Sequence, residues 1–133
     1  MAETVGLTRR GLIGAAAATA AVGLARRARA AEPIRIGMPL ALTGPGGEIG
    51  QQMRHGAEFW AKQQNAAGGV LGRAIELIVE DTGGDPATCV RKAQEVVERH
   101  GCRLLMGMTF SSEALAVVPR LAEWNAIFGY QKG

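Results

Sequence analysis

The sequence has only two cysteines, two histidines and no apolar run long enough to span a bilayer, and each scarcity closes off a class of function. The mildly apolar stretch 12–24 is Ala-rich and broken by Gly and Thr, and its thirteen residues fall short of the roughly 20 that a spanning helix needs. His55 and His100 stand singly, and no Cys or carboxylate cluster near either shows metal-ligand spacing. Both read as partly exposed helix residues, and no cofactor is implied. Cys89 falls in the first turn of a predicted helix and Cys102 just past its end. About eleven helical residues at ~1.5 Å rise put them ~15 Å apart, beyond the reach of a disulfide, so two buried or free thiols are expected.

Catalytic and nucleotide motifs are also missing. The glycine-rich stretch "ALTGPGGEIGQQ", residues 41–52, would need glycine where Ile49 stands to make a dinucleotide fingerprint from Gly44 and Gly46. No Gly-Lys-Ser or Gly-Lys-Thr follows to make a phosphate loop. Asp81-Thr82-Gly83 is the tripeptide of aspartic proteases, whose chemistry requires two carboxylates sharing a proton, and no second copy occurs. Asp81 is therefore read as a loop residue supporting the turn after a strand. Ser111 has no Gly-x-Ser-x-Gly around it, so it is not a nucleophile on a strained elbow.

Residues 1–30 carry what is present in place of these. Arg9 and Arg10 make a charged head, 12–24 an apolar middle and Ala28-Arg29-Ala30 a small-x-small box, the three parts of an export signal cut between Ala30 and Ala31. Thr8-Arg9-Arg10-Gly11-Leu12-Ile13 resembles the twin-arginine motif, which makes the Tat translocon the expected export partner. Five of the fifteen basic residues and one of the twelve acidic ones lie in this segment, so ten and eleven remain beyond it. The high isoelectric point belongs to the targeting segment, and no basic cluster with interleaved aromatics is left to suggest nucleic acid. Setting thirty of the 133 residues aside leaves 103, enough for one small domain.

Periodicity divides that domain into alternating elements. Residues 34–42 read as a strand, 51–67 as a helix with Met53, Ala57, Trp60 and Ala61 on one face, and 74–80 as a second strand. Residues 65–73 are turn chemistry. Asp85 and Pro86 start the next helix, Ala87, Val90, Ala93, Val96 and Val97 form its apolar stripe, and Gly101 ends it. Residues 103–108 make a third strand, Ser111 or Ser112 caps a helix running to about Trp124 with Pro119 inside it, and a fourth strand begins at 126–128. The fold class is α/β, a partial doubly wound parallel sheet in the order β-α-β-α-β-α-β with right-handed crossovers. Ligands of such sheets bind beyond the carboxyl ends of the strands where strand order reverses, here between the first and third strands. The loops meeting there are 41–50 and 109–112. Ser111-Ser112 is either an anion site at a helix start, suited to a carboxylate, or an ordinary cap without a ligand.

With these pieces in place, the chain resembles the N-terminal part of a type I periplasmic solute-binding protein of ABC transporters, in the leucine/isoleucine/valine branch. The matching stretches are "IRIGMPLALTGPGGEIG", "GAEFWAKQQNAAGGVLGRAIELIVEDTGGDP", "ATCVRKAQEVVERHGCRLLMGMTFSSEALAVVP" and "LAEWNAIF", covering residues 33–128. The resemblance implies a non-enzymatic periplasmic protein of two α/β lobes that closes on an amino acid or related small solute and delivers it to an ABC permease. It implies that Ser111 holds the ligand's carboxylate, that Ile49 packs on the ligand side chain, and that Gly44 and Pro45 shape the first loop. Thr109, Phe110 and Ser112 are their neighbours in the second. The glycines of 41–52 are accordingly expected to bring backbone close to a ligand. The chain leaves the family pattern at 129–133, "GYQKG", and the two positions of a family disulfide hold Gly84 and Phe110. The expected organisation is a signal at 1–30, the first part of one lobe at 31–128 and a divergent end, a truncated binding protein. An inert remnant and an exported hydrolase using Asp81 or Ser111 are the alternatives.

Overall fold

The computed structural model describes residues 31–130, so the export signal and residues 131–133 lie outside the described part. Four parallel strands form one sheet: β1, Ile34–Leu40; β2, Ile75–Asp81; β3, Leu104–Met106; and β4, Ile127–Gly129, in the order β2-β1-β3-β4. Three helices connect them: α1, Gly47–Ala66; α2, Pro86–His100; and α3, Ser111–Val117. The sheet is α/β and parallel as predicted, and strand order reverses between β1 and β3. β1 and β2 pair over seven residues, from Ile34 with Ile75 to Leu40 with Asp81, whereas β1 and β3 pair only at Ile36 with Leu104 and Gly37 with Leu105.

Alternation along the strands builds two cores. Ile36, Met38, Leu40 and Ile75 pack under Ala61 of α1, while Leu105 on the other face joins Cys89, Ala93, Val96 and Val97 of α2, Val117 of α3 and Trp124. One helix therefore covers β1 and β2 on the first face. The register puts Leu104, Met106 and Ile127 on that same face beyond the helix, and Met106 and Ile127 are left 37% and 67% exposed. Both cysteines are free and buried in the second core, as expected.

Several boundaries differ from the expected ones, each for a local reason. β1 ends at Leu40 rather than at residue 42, because the next backbone donors turn to side chains: Ala41 N–H donates to Thr109 Oγ1 (2.9 Å) and Leu42 N–H to Asp81 Oδ1 (2.9 Å). The helix expected from residue 51 starts at Gly47, directly after a 3-10 turn at Gly44–Gly46, so most of the glycine-rich loop is helical. β3 stops at Met106 because Gly107 and Met108 both take positive φ, 97° and 64°. α3 ends at Val117 and passes into a 3-10 turn at Val118–Arg120, since Pro119 has no N–H to continue the ladder. α2 matches its signals closely: the Asp85 carboxylate accepts the Thr88 N–H (2.7 Å) and Gly101 closes the helix at φ 68°. Its buried stripe holds Cys89 where Ala87 was expected, and Ala87 is exposed.

Candidate functional site

Asp81 organises the carboxyl end of the sheet. Its Oδ1 accepts N–H groups from Leu42 (2.9 Å), Thr43 (3.3 Å) and Gly83 (2.9 Å), and its Oδ2 accepts the Thr43 hydroxyl (2.7 Å). The Gly83 N–H, followed by the Thr43 hydroxyl and the Leu42 and Thr43 N–H groups, holds this carboxyl below its ordinary range against a smaller opposing effect of burial. The turn after β2 is supported as the sequence suggested; the grip on the first loop is additional.

Next along the chain, Thr82 donates its hydroxyl to Glu113 Oε1 and accepts the Gly84 N–H (3.2 Å). Glu113 is 0% exposed, and its second oxygen accepts the Phe110 N–H (2.9 Å), which closes the first turn of α3. The residue at the helix cap is therefore Phe110; Ser111 and Ser112 occupy the first two helical positions and do not cap it. Glu113 closes this turn from the third helical position by accepting the Phe110 N–H, while the Phe110 carbonyl accepts the Glu113 N–H (3.1 Å).

The glycines of the first loop serve packing within the chain. A Cβ on Gly50 would lie 1.8 Å from the Ala41 carbonyl oxygen, so α1 can start against the end of its own strand only with glycine there. The Phe110 ring fills the space beside Gly46 and Gly84, where added Cβ atoms would come within 2.6 and 2.9 Å of it.

Between α1 and the uncovered part of the sheet runs a cleft of about 720 Å³. Ile49, Met53 and Trp60 of α1 form one wall, Met38 and Met106 the floor, and Thr109 and Tyr130 the end nearest the loops. Ile49, in the first turn of α1, is 53% exposed and faces this space. Of the residues singled out from sequence, Ile49 and Thr109 thus line one cleft. Ser111 reaches its rim through a hydrogen bond between its hydroxyl and that of Tyr130 (3.1 Å). Gly44 and Pro45 lie exposed on the 3-10 turn, Ser112 is exposed on α3, and Phe110 is half-buried against the glycines. Sequence reading missed Glu113, Tyr130 and the methionines. Glu113 carries a signal, a glutamate at the third helical position, that is usable only once the cap is placed at Phe110. Tyr130 lies past the end of the recognised pattern and carries none. Among the described residues no group of His, Cys, Asp or Glu is placed to hold a metal ion, and no helix is long and apolar enough to cross a membrane.

Comparison with known proteins places these features in context. A family profile described as periplasmic binding protein matches residues 33–130. The chain is 36% identical over 106 residues to the Leu/Ile/Val-binding protein BraC3 of Rhizobium johnstonii, covering 80% of this chain and 29% of that protein. It is likewise 36% identical over 96 residues to the leucine-, isoleucine-, valine-, threonine- and alanine-binding protein of Pseudomonas aeruginosa, covering 72% and 26%. Among solved structures, the branched-chain amino acid transporter substrate binding protein LivJ of Streptococcus pneumoniae, in complex with isoleucine, shares the fold at a TM-score of 0.70 and 21% identity, over 75% of this chain and 30% of that one. The chain spans less than a third of the length of each.

Proposed function

Because the chain belongs to the periplasmic binding protein family, we propose that it carries the N-lobe half of a site for a branched-chain amino acid or a related small solute, acting outside the cytoplasm as the non-enzymatic binding component of an ABC transporter. The observation that carries this reading is the tie between the two loops across the strand-order reversal, Ala41 N–H to Thr109 Oγ1, beside an apolar cleft that Ile49 enters. In this reading Ile49 packs on the solute's side chain and Gly44 and Pro45 set the loop that presents it. The hydroxyls of Thr109, Ser111 and Ser112 and the free N–H groups at the start of α3 receive the carboxylate, and Phe110 holds the second loop in place. The permease is the downstream partner, and the Tat translocon exports the chain by way of residues 1–30.

Calorimetric titration of the full chain with L-leucine, L-isoleucine and L-valine tests the proposal. Saturable heat is expected with at least one of them, and Ile49→Asp should weaken it by about tenfold or more through loss of the apolar contact. Absence of heat with all three would overturn it.

A further inference from the structure

The tripeptide Asp81-Thr82-Gly83 has no protease partner, yet its first two side chains have more hydrogen-bond partners than any nearby pair. Successive residues at a strand end point to opposite faces of the sheet. Asp81 turns to the α1 side and takes up four donors from Leu42, Thr43 and Gly83. Thr82 turns to the α3 side and meets the fully buried Glu113, whose other oxygen fixes the Phe110 N–H beside Ser111. The peptide unit joining them is itself fixed to β1, since Thr82 N–H donates to the Leu40 carbonyl (2.8 Å). Among the described residues the carboxylate on each side has only neutral partners, backbone N–H groups and a threonine hydroxyl, so the arrangement is a set of directed hydrogen bonds and not an ion pair.

We propose that Asp81-Thr82 is a single clamp that sets both crevice loops at once, which makes Asp81, Thr82 and Glu113 positioning residues for Ile49 and Ser111. One rigid peptide unit carries both grips, so a shift that releases one loop tilts the other. The second loop is also keyed into the first by the Phe110 ring against Gly46 and by the Thr109 hydroxyl on Ala41, which carries such a tilt across. The consequence for affinity rests on the function proposed above; the coupling of the loops does not.

Hydrogen exchange of the full 133-residue chain separates the two. Asp81→Asn should raise exchange about tenfold or more at Leu42 and Thr43, which lose a charged acceptor, and also at Phe110, while Val96 and Val97 in α2 keep their protection. Thr82→Val should do the reverse, loosening Phe110 and with it Leu42 and Thr43. Loosening confined to the loop each residue touches would overturn the clamp, as would uniform loosening that includes α2. Should Thr82→Val fail to fold, Thr43→Val removes one exposed donor from Asp81, and the same transmission to Phe110 is required of it. Titration with L-isoleucine adds the second arm. If the native chain binds, Asp81→Asn should weaken binding about tenfold with the melting temperature little changed, and unchanged affinity would remove the positioning role. If the native chain does not bind, the proposed function fails and the exchange pattern alone decides the clamp.

Discussion

Gly50 and Gly56 lie in the same helix and make opposite demands. At Gly50 a methyl group would fall 1.8 Å from the carbonyl of Ala41, a residue whose N–H is tied to the Thr109 hydroxyl, whereas at Gly56 nothing lies within 4 Å. Gly50→Ala should cost about 3 kcal/mol or more as an overpacking change, and Gly56→Ala should gain roughly 0.5–1 kcal/mol of helix propensity. Urea denaturation of the two variants checks both signs. Glycine content was legible in the sequence, and its packing role was not. The resemblance implies that the glycines of 41–52 bring backbone close to a ligand; in the fold Gly46 and Gly50 also make room for Phe110 and Ala41, contacts between residues far apart in the chain or across a sharp reversal. Ile49 was reached by another route, the resemblance to the binding-protein family, and it lines the cleft on a helix that starts four residues earlier than its periodicity indicates.

Elements whose ends are made by their own neighbours were read correctly. α2 has Asp85, Pro86 and Gly101 at its termini, all within the segment, and its limits match. α1 has no side chain capping its start, and α3 is closed by Glu113 after Pro119 has shortened its far end, so both were misplaced. Strand β1 ended early because Asp81 and Thr109, about 40 and 70 residues on, supply its last acceptors, and such pairings leave no trace in local periodicity. The caps also give an acid dependence. Asp85 is held below its ordinary range first by the Thr88 N–H, and Asp81 first by the Gly83 N–H. Both bind protons more weakly folded than unfolded, so their stabilisation is full above the ordinary carboxylate range and is lost as pH falls through the lowered folded values. Thermal melts of the native chain and Asp85→Ala should therefore differ by several degrees at neutral pH and converge as the solution is acidified below that range.

At the scale of the molecule, the parallel sheet, its strand-order reversal and the two loops above it followed from the alternation of strand and helix signals, which is a property of the whole chain and survives errors at every boundary. The buried thiols report on the same scale. Burial, with the Glu113 and Asp85 charges adding to it, pushes Cys89 up to about 12, and burial raises Cys102 too. Folded chain should resist iodoacetamide at pH 8 by about a hundredfold or more relative to urea-unfolded chain, and the residual rate should track opening of the α2–α3 core. Rapid labelling of both thiols in native buffer would show that this core does not close.

The unequal pairing within the sheet has a bearing on where a crevice can form. Seven residue pairs join β1 to β2, but the β1–β3 ladder runs out after two, and beyond it Met108 N–H still reaches the Pro39 carbonyl (3.0 Å) while Ala41 N–H must take a threonine hydroxyl as its acceptor. The floor of the crevice is thus the sheet continued by other means, a ladder whose rungs change from carbonyl to side chain as the strands part. Two strands that separate while remaining bonded leave a notch of defined width, and its width is written in the length of Thr109.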